Sequence, residues 1–324
     1  MSSTEGTILI TGGTGKVGLC IAKLCQASST PYLVASRSAS SATASTVHPT
    51  VKFDWLDRTT WSNPFITATK TSLITAVYLV SPPVFDASAI MNDFIDLARK
   101  EYGVKRFVLQ SATSVEAGGP VFGGTAKYLQ ELGAQGEIGF GVMRPTWFMD
   151  NWAEQGSLQK TVQAEGRAYS ASGAGRIPWV SKTDIAACAY SALTAEAPPN
   201  GDCIILGPDL LSYGEVSPMM APCLPACLGA LKRLVGLTES QCADILTEVI
   251  GKKVVHVNLT VEELAEHHVK NSGLSEEYAK VLAGMDTPIK NGSEEKLNNV
   301  VLTVTGSKPK SFKEFAVANK SIWL

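Results

Sequence analysis

Thr7-Ile8-Leu9-Ile10-Thr11-Gly12-Gly13-Thr14-Gly15-Lys16-Val17-Gly18 is the stretch that decides the fold. Thr7 to Ile10 is a short apolar, β-branched run that stops at the glycines. Leu19 to Gln26 follows with apolar residues at helical spacing, so the stretch reads as strand, tight turn, helix. The glycines form Gly13-x-Gly15-x-x-Gly18 and equally Gly12-x-x-Gly15-x-x-Gly18. A turn this tight needs positive φ, and a bound pyrophosphate needs a backbone with no Cβ atoms in its way. Gly18 lets helix and strand pack closely. The helix N-terminus, with Thr14, Lys16 and Val17 in the same turn, then offers backbone N–H groups to the anion. A P-loop does not fit, because Lys16 is followed by Val17 rather than Ser or Thr and position 10 is not Gly.

Further apolar runs follow at Tyr32 to Ala35, Leu73 to Val80, Arg106 to Gln110, Ile138 to Met143 and Cys203 to Leu206. Helix-forming segments lie between most of them, notably Ala87 to Glu101 and Thr125 to Gly133. Buried-type strands alternating with helices specify a parallel sheet covered on both faces, an α/β fold of the Rossmann doubly wound kind. The alternation fades after about residue 206. The expected organisation is therefore a dinucleotide-binding domain over 1–206, with part of the substrate pocket at 144–180, and a smaller, mainly helical substrate lobe over 207–324.

One stretch breaks the pattern. Ser212-Tyr213-Gly214-Glu215 has the form of a capping box, yet the helix it announces stops at Ser217-Pro218. Without residues 217–242, Val216 would join Ala243-Asp244-Ile245-Leu246-Thr247-Glu248-Val249-Ile250-Gly251. Apolar residues then recur at helical spacing and Gly provides the stop. The stretch reads as an insertion splitting an amphipathic helix. Val216-Ser217 and the terminal Gln are compatible with the GT and AG borders of a retained intron; the rival reading is a genuine helical excursion.

Cofactor choice is legible at the end of the second strand, where an acidic side chain would grip the ribose 2′-hydroxyl of NAD. That strand ends Ala35-Ser36-Arg37-Ser38, and after Glu5 the next acidic residue is Asp54. Arg37 instead offers a bidentate contact to a 2′-phosphate, and Ser36 and Ser38 add hydroxyl donors, so the expected cofactor is NADPH. Asp54 is placed either to meet the adenine amino group or to cap its own loop. Trp55, Ser81, Ser111, Lys127 and Thr146 complete the expected cofactor set.

The chain has 324 residues, 28 Lys+Arg against 30 Asp+Glu and a formal net charge of −2. No basic cluster is present to neutralise a row of phosphates, which argues against nucleic acid. The start of the chain does not read as a signal peptide and no apolar run is long enough to span a bilayer, so no membrane partner and a cytoplasmic location are expected. Seven scattered Cys suggest no disulfide framework, and the four His do not combine with them at zinc-ligand spacing, so no metal is expected. Oligomeric state is not legible.

The glycine motif, Arg37, Phe53-Asp54-Trp55-Leu56-Asp57, Arg106-Phe107-Val108-Leu109-Gln110-Ser111, Met143 to Asn151 and Ile177-Pro178-Trp179-Val180-Ser181 together resemble the NmrA-like atypical short-chain dehydrogenases. Trp147-Phe148-Met149 and the ending Lys310-Ser311-Phe312-Lys313-Glu314-Phe315-Ala316 most resemble the agroclavine/festuclavine dehydrogenase family of ergot alkaloid biosynthesis. The resemblance implies NADPH-dependent reduction of a cyclic iminium made from chanoclavine-I aldehyde. Carbonyl-reducing members of the superfamily carry a Tyr-x-x-x-Lys pair that protonates the alkoxide, but here Lys127 has Gly123 four residues earlier. Ser111 matches the place of a catalytic Ser and is a poor acid alone. Lys127 would bind the nicotinamide ribose or be a solvated helix residue. An iminium already bears the positive charge and needs no proton on hydride addition. Trp147, Phe148, Asp150, Trp152 and Trp179 offer aromatic and anionic walls for such a cation, core packing being the alternative for any one ring. An NADP-binding redox sensor without turnover, and a reductase of another planar molecule, are the competing readings.

Overall fold

The computed structural model describes residues 6–39, 48–68, 72–154, 156–214 and 241–324. The chain begins β1 (Thr7–Ile10), α1 (Lys16–Ala27), β2 (Tyr32–Ser36), β3 (Thr50–Lys52), α2 (Asn63–Ala68), β4 (Ile74–Leu79), α3 (Ser88–Glu101), β5 (Arg106–Gln110), α4 (Gly123–Ala134) and β6 (Gly139–Pro145). It continues with α5 (Asn151–Glu154), α6 (Gly156–Glu165), β7 (Arg167–Ser170), α7 (Lys182–Thr194) and β8 (Gly201–Ile205). The remainder is α8 (Cys242–Ile250), β9 (Val255–Asn258), α9 (Val261–Ser272), α10 (Glu276–Gly284), α11 (Asp286–Lys290), α12 (Val300–Thr305) and α13 (Phe312–Ala318).

Two compact units result. The first holds 1–146, 182–205 and 299–308, and the second holds 147–181, 206–298 and 309–324. The units are therefore interleaved in sequence, in place of one boundary near residue 206. The segment 147–181, which follows a sheet strand and so reads as part of the first domain, contributes its aromatic residues to the core of the second.

In the first unit seven strands form a sheet in the order β3-β2-β1-β4-β5-β6-β8, every neighbouring pair parallel. The expected doubly wound α/β sheet is present. Alternation along β1 shows why its sequence is apolar throughout. Leu9 enters a core shared with α3 and α4, while Ile8 and Ile10, equally buried, point to the opposite face. There α1 and α7 pack together. Phe94 of α3 is the hub of the first core, with its ring 5.1 Å from Phe53, 5.2 Å from Trp55 and 5.7 Å from Trp61.

The second unit is built around Trp152, which is fully buried with its ring 5.8 Å from Trp179, 5.2 Å from Tyr213 and 5.5 Å from Phe312. β7 and β9 form a parallel pair, and α8 adds Cys242, Leu246 and Ile250 to the same core.

The first turn of α8 bonds to carbonyls far back in sequence. Cys242 N–H donates to Ser212 O at 3.1 Å and Ala243 N–H to Tyr213 O at 3.0 Å. An α-helix makes this bond between residues four apart. Here each spans 30 positions, an excess of 26. Of the capping box, Ser212 is described and Glu215 is not. Residues 217–240 of the expected insertion, and 40–47 of the expected Ser/Ala-rich loop, also lie outside the described residues.

Phe94→Ala removes the hub ring and should lower unfolding free energy by about 3–5 kcal/mol, read by urea denaturation. A loss under about 1 kcal/mol would show that the surrounding rings collapse to fill the space.

Candidate functional site

In the first unit, β1 and β4 are adjacent although β2 and β3 intervene in sequence, which makes their carboxyl ends the switch point of the sheet. Thr11 clamps this point. Its hydroxyl donates to Tyr78 O at 2.9 Å and accepts Val80 N–H at 2.8 Å. The chain then turns at Gly12 with φ +61°, where an added Cβ would stand 2.8 Å from the Val80 Cβ. A Cβ on Gly18 would meet Gly12 O at 2.5 Å, so helix and turn touch backbone to backbone. α1 starts after Gly15 with no side-chain cap and no acidic residue in its first turn. The positive dipole end of the helix is thus not offset by an acidic side chain in its first turn, which favours an anion there.

A groove opens here, with about 780 Å³ of free space counting its open side. Of the expected cofactor residues, Gly12, Thr14, Gly15, Ser36, Arg37, Asp54, Trp55 and Ser81 line it. Gly13, Val17 and Gly18 are buried behind that surface, and Lys16 opens the helix. Ser36 accepts the Ser38 N–H at 3.3 Å, which bends the chain around Arg37. Lys52, absent from the sequence-based set, donates its ammonium to the Arg37 carbonyl. Parallel pairing of Ser36 with Lys52 puts this second cation beside the first, a relation that only strand register supplies. Asp54 caps its own loop, its Oδ1 accepting Leu56 N–H at 3.0 Å, while also facing the groove.

Gly12, Ser81, Ser111 and Thr146 each follow a strand of the run β1-β4-β5-β6, so they lie along one edge of the sheet. Ser111 is held by its N–H donating to Met143 O at 2.7 Å, and its buried Oγ has no partner. A row of anion-binding N–H groups, paired cations and an unpartnered hydroxyl on the carboxyl edge fits a dinucleotide.

Lys127 is exposed on α4, its Nζ 3.8 Å from Glu131. Gly123 opens that helix, and a Cβ there would stand 2.4 Å from Glu116 O. The backbone thus leaves no room for a tyrosine four residues before Lys127. Tyr128 is engaged elsewhere, donating to Asp96 at 2.5 Å.

The expected substrate residues all belong to the second unit. Trp152 and Trp179 are 0% and 1% exposed and belong to its core, the packing alternative for these two rings. They are too large and too central to reach a surface, and they support Tyr213 from behind. Phe148 is half-buried and bridges Val180, and the Asp150 carbonyl accepts Glu154 N–H at 2.8 Å. Trp147 alone of the five lines a narrow cleft in this unit, together with Tyr169, Tyr213, His267, His268 and Asp286. The cleft is tight, with a cavity volume of about 50 Å³ inside about 500 Å³ of free space that counts its open mouth. No sequence motif marks those last five residues, which come from four separate segments.

Asp286 is 5% exposed and accepts Ala171 N–H at 2.6 Å. Burial pushes its carboxyl up to about 6, the hydrogen bond from Ala171 opposing. Burial likewise holds His267 and His268 below the ordinary imidazole value. His256, outside the cleft, is pushed down to about 4 by burial and shares a 2.8 Å hydrogen bond with Ser170.

No protein-family model matches the chain. It is 40% identical over 319 residues to festuclavine synthase II of Penicillium roqueforti (strain FM164), covering 98% of this chain and 99% of that protein. It is 38% identical over 319 residues to agroclavine dehydrogenase of Claviceps fusiformis, with 98% and 99% covered. Among solved structures, Citrobacter sp. triphenylmethane reductase complexed with NADP(H) superposes with a TM-score of 0.70 at 19% identity, covering 98% of this chain and 100% of that one. That likeness is one of fold.

Asp286 has a folded pKa above its unfolded value, so its ionisation above pH 6 costs stability and the cost is relieved as pH falls toward 4. The unfolding free energy of the native chain relative to Asp286→Asn should therefore rise by about 2 kcal/mol between pH 7 and pH 4. Chemical denaturation across that range measures it, and parallel curves would refute the burial cost.

Proposed function

The chain belongs to the agroclavine/festuclavine dehydrogenase family of oxidoreductases, and from that premise we propose that it is an NADPH-dependent reductase of a cyclic iminium in ergot alkaloid biosynthesis. When bound, NADPH supplies hydride from C4 of its nicotinamide. The α1 N-terminus would hold the pyrophosphate, and Arg37, with Lys52 beside it, would pair with the 2′-phosphate. The buried Ser111 hydroxyl, without a hydrogen-bond partner among the described residues, is available to orient a bound ring.

The observation that carries the choice of substrate is Gly123. A carbonyl acceptor would become an alkoxide and would need an acid, which related reductases keep four residues before the lysine. Here the Glu116 carbonyl occupies the space a side chain would need. Reduction of C=N⁺ neutralises a charge that is already present and consumes no proton. The protein's part is then to bind, orient and exclude water. A carbonyl substrate deprived of its donor would react slowly in the same position.

NADPH oxidation in the presence of chanoclavine-I aldehyde, under conditions that close it to the iminium, tests the reading. Turnover with an agroclavine- or festuclavine-type product is the expected result; NADPH binding without turnover would favour a dinucleotide sensor. Arg37→Ala should weaken NADPH binding about 10- to 100-fold, as expected for loss of a charge-assisted contact of about 1.5–3 kcal/mol, and leave NADH nearly unchanged. Equal losses for both cofactors, measured by fluorescence titration, would remove the 2′-phosphate from the role of Arg37.

A further inference from the structure

Asp286 is a buried carboxylate without an ion-pair partner among the described residues, and its one hydrogen bond comes from the Ala171 N–H. A single neutral donor does not offset the burial of a charge, and such groups are retained where a ligand completes them. The groups that face it across the cleft are Tyr213, Tyr169 from β7, and His267 and His268 from α9. Nδ1 of both imidazoles is buried with no partner. Burial raises both phenols and lowers both imidazoles, with Glu165 and Lys270 acting in opposite senses on His267. At neutral pH these four are uncharged, and the cleft carries one uncompensated negative charge.

We propose that this cleft receives a planar organic cation, with Asp286 as counter-anion and the rings of Trp147, Tyr169 and Tyr213 as its walls. An inorganic cation is a poor occupant, because a hard ion favours several carboxylate or carbonyl oxygens, and the lining offers one carboxylate beside the neutral hydroxyls of Ser157, Thr161, Tyr169 and Tyr213, with no cluster of three metal-ligating side chains among the described residues. A weakly hydrated, delocalised cation gains from a carboxylate and from ring faces together. The proposal rests on the reading of the chain as an iminium reductase. To that reading it adds the residue that selects for charge, five of the relevant side chains being unmarked in sequence.

The test uses the full chain and two probes of one shape, 2-methylisoquinolinium, permanently charged, and neutral 2-methylnaphthalene. Calorimetric titration at pH 7.5 should show the cation binding at least about tenfold tighter than its isostere. Asp286→Asn keeps an oxygen for Ala171 N–H and should abolish the preference, while Asp286→Glu should keep part of it. At pH 5.0 the native preference should fall about tenfold, since the carboxyl is then mostly protonated. Protonation of His267 or His268 would act in the same direction, and Asp286→Asn, which retains both, separates the causes. A native chain indifferent to charge, or a preference that survives Asp286→Asn, overturns the assignment. Charge-selective binding without iminium turnover would defeat the proposed reaction and leave this site standing; turnover without charge selection would do the reverse.

The hydrogen bonds of Cys242 and Ala243 carry a second, independent inference, that the functional chain is made without 26 residues here. Deleting 217–242 puts Val216 in the place of Cys242, which is fully buried and takes an apolar side chain, and Ala243 then bonds to Tyr213 as a residue four positions on. Sequencing of the mature transcript should show those 26 codons missing, and the shortened protein should melt no lower than the full one. A mature message retaining all of them, or a shortened protein that fails to fold, ends this inference.

Discussion

No side-chain carbon fits where β1 ends, and the groove of the first unit follows from that exclusion. Gly12 turns at positive φ against Val80, and Gly18 brings α1 onto the Gly12 carbonyl. The Thr11 hydroxyl, bonded to both Tyr78 and Val80, keeps β1 and β4 from parting to relieve the crowding. An alanine at either glycine would have to push a strand or a helix aside. Because the helix begins without a side-chain cap or an acidic residue in its first turn, its positive dipole end is not offset there and favours an anion.

The same edge shows two ways a protein lacks a group. Tyrosine is missing before Lys127 in the sequence, and the Glu116 carbonyl 2.4 Å from the Gly123 Cβ position makes the absence a property of the backbone. The loop carrying Glu116 is itself fixed. Arg144, buried at the end of β6, donates to Glu116 at 2.5 Å, to Asp202 at 2.9 Å and to the Thr113 carbonyl at 3.0 Å. One guanidinium thus ties β6 and β8 to the loop that closes off position 123. Its charge is tolerated because two carboxylates face it, whereas the Asp286 carboxylate in the second unit has no ion-pair partner among the described residues.

Aromatic residues divide by position rather than by kind. Trp152 and Trp179 fill the second core, Tyr213 lies against both, and its exposed side reaches the cleft. Counting rings in the segment after β6 therefore overstates the wall and understates the core, since a ring's burial depends on what the distant segments bring. Phe312 and Trp323 arrive from the far end of the chain to cover Trp152, the latter through a 2.9 Å bond from its indole N–H to the Trp152 carbonyl.

Local patterns determined the parallel sheet, the glycine turn and Arg37 in place of an acid, because each depends on residues a few positions apart whose backbone preferences and periodicity act without help from elsewhere. Only the tertiary structure decided that Lys52 joins Arg37, that no tyrosine fits before Lys127, that 147–181 belongs with the second unit and that Asp286 meets three rings and two imidazoles. Those outcomes turn on strand register, backbone contact and the burial of charge, which arise between segments separated by tens to more than a hundred residues. A linear pattern carries no term for such distances.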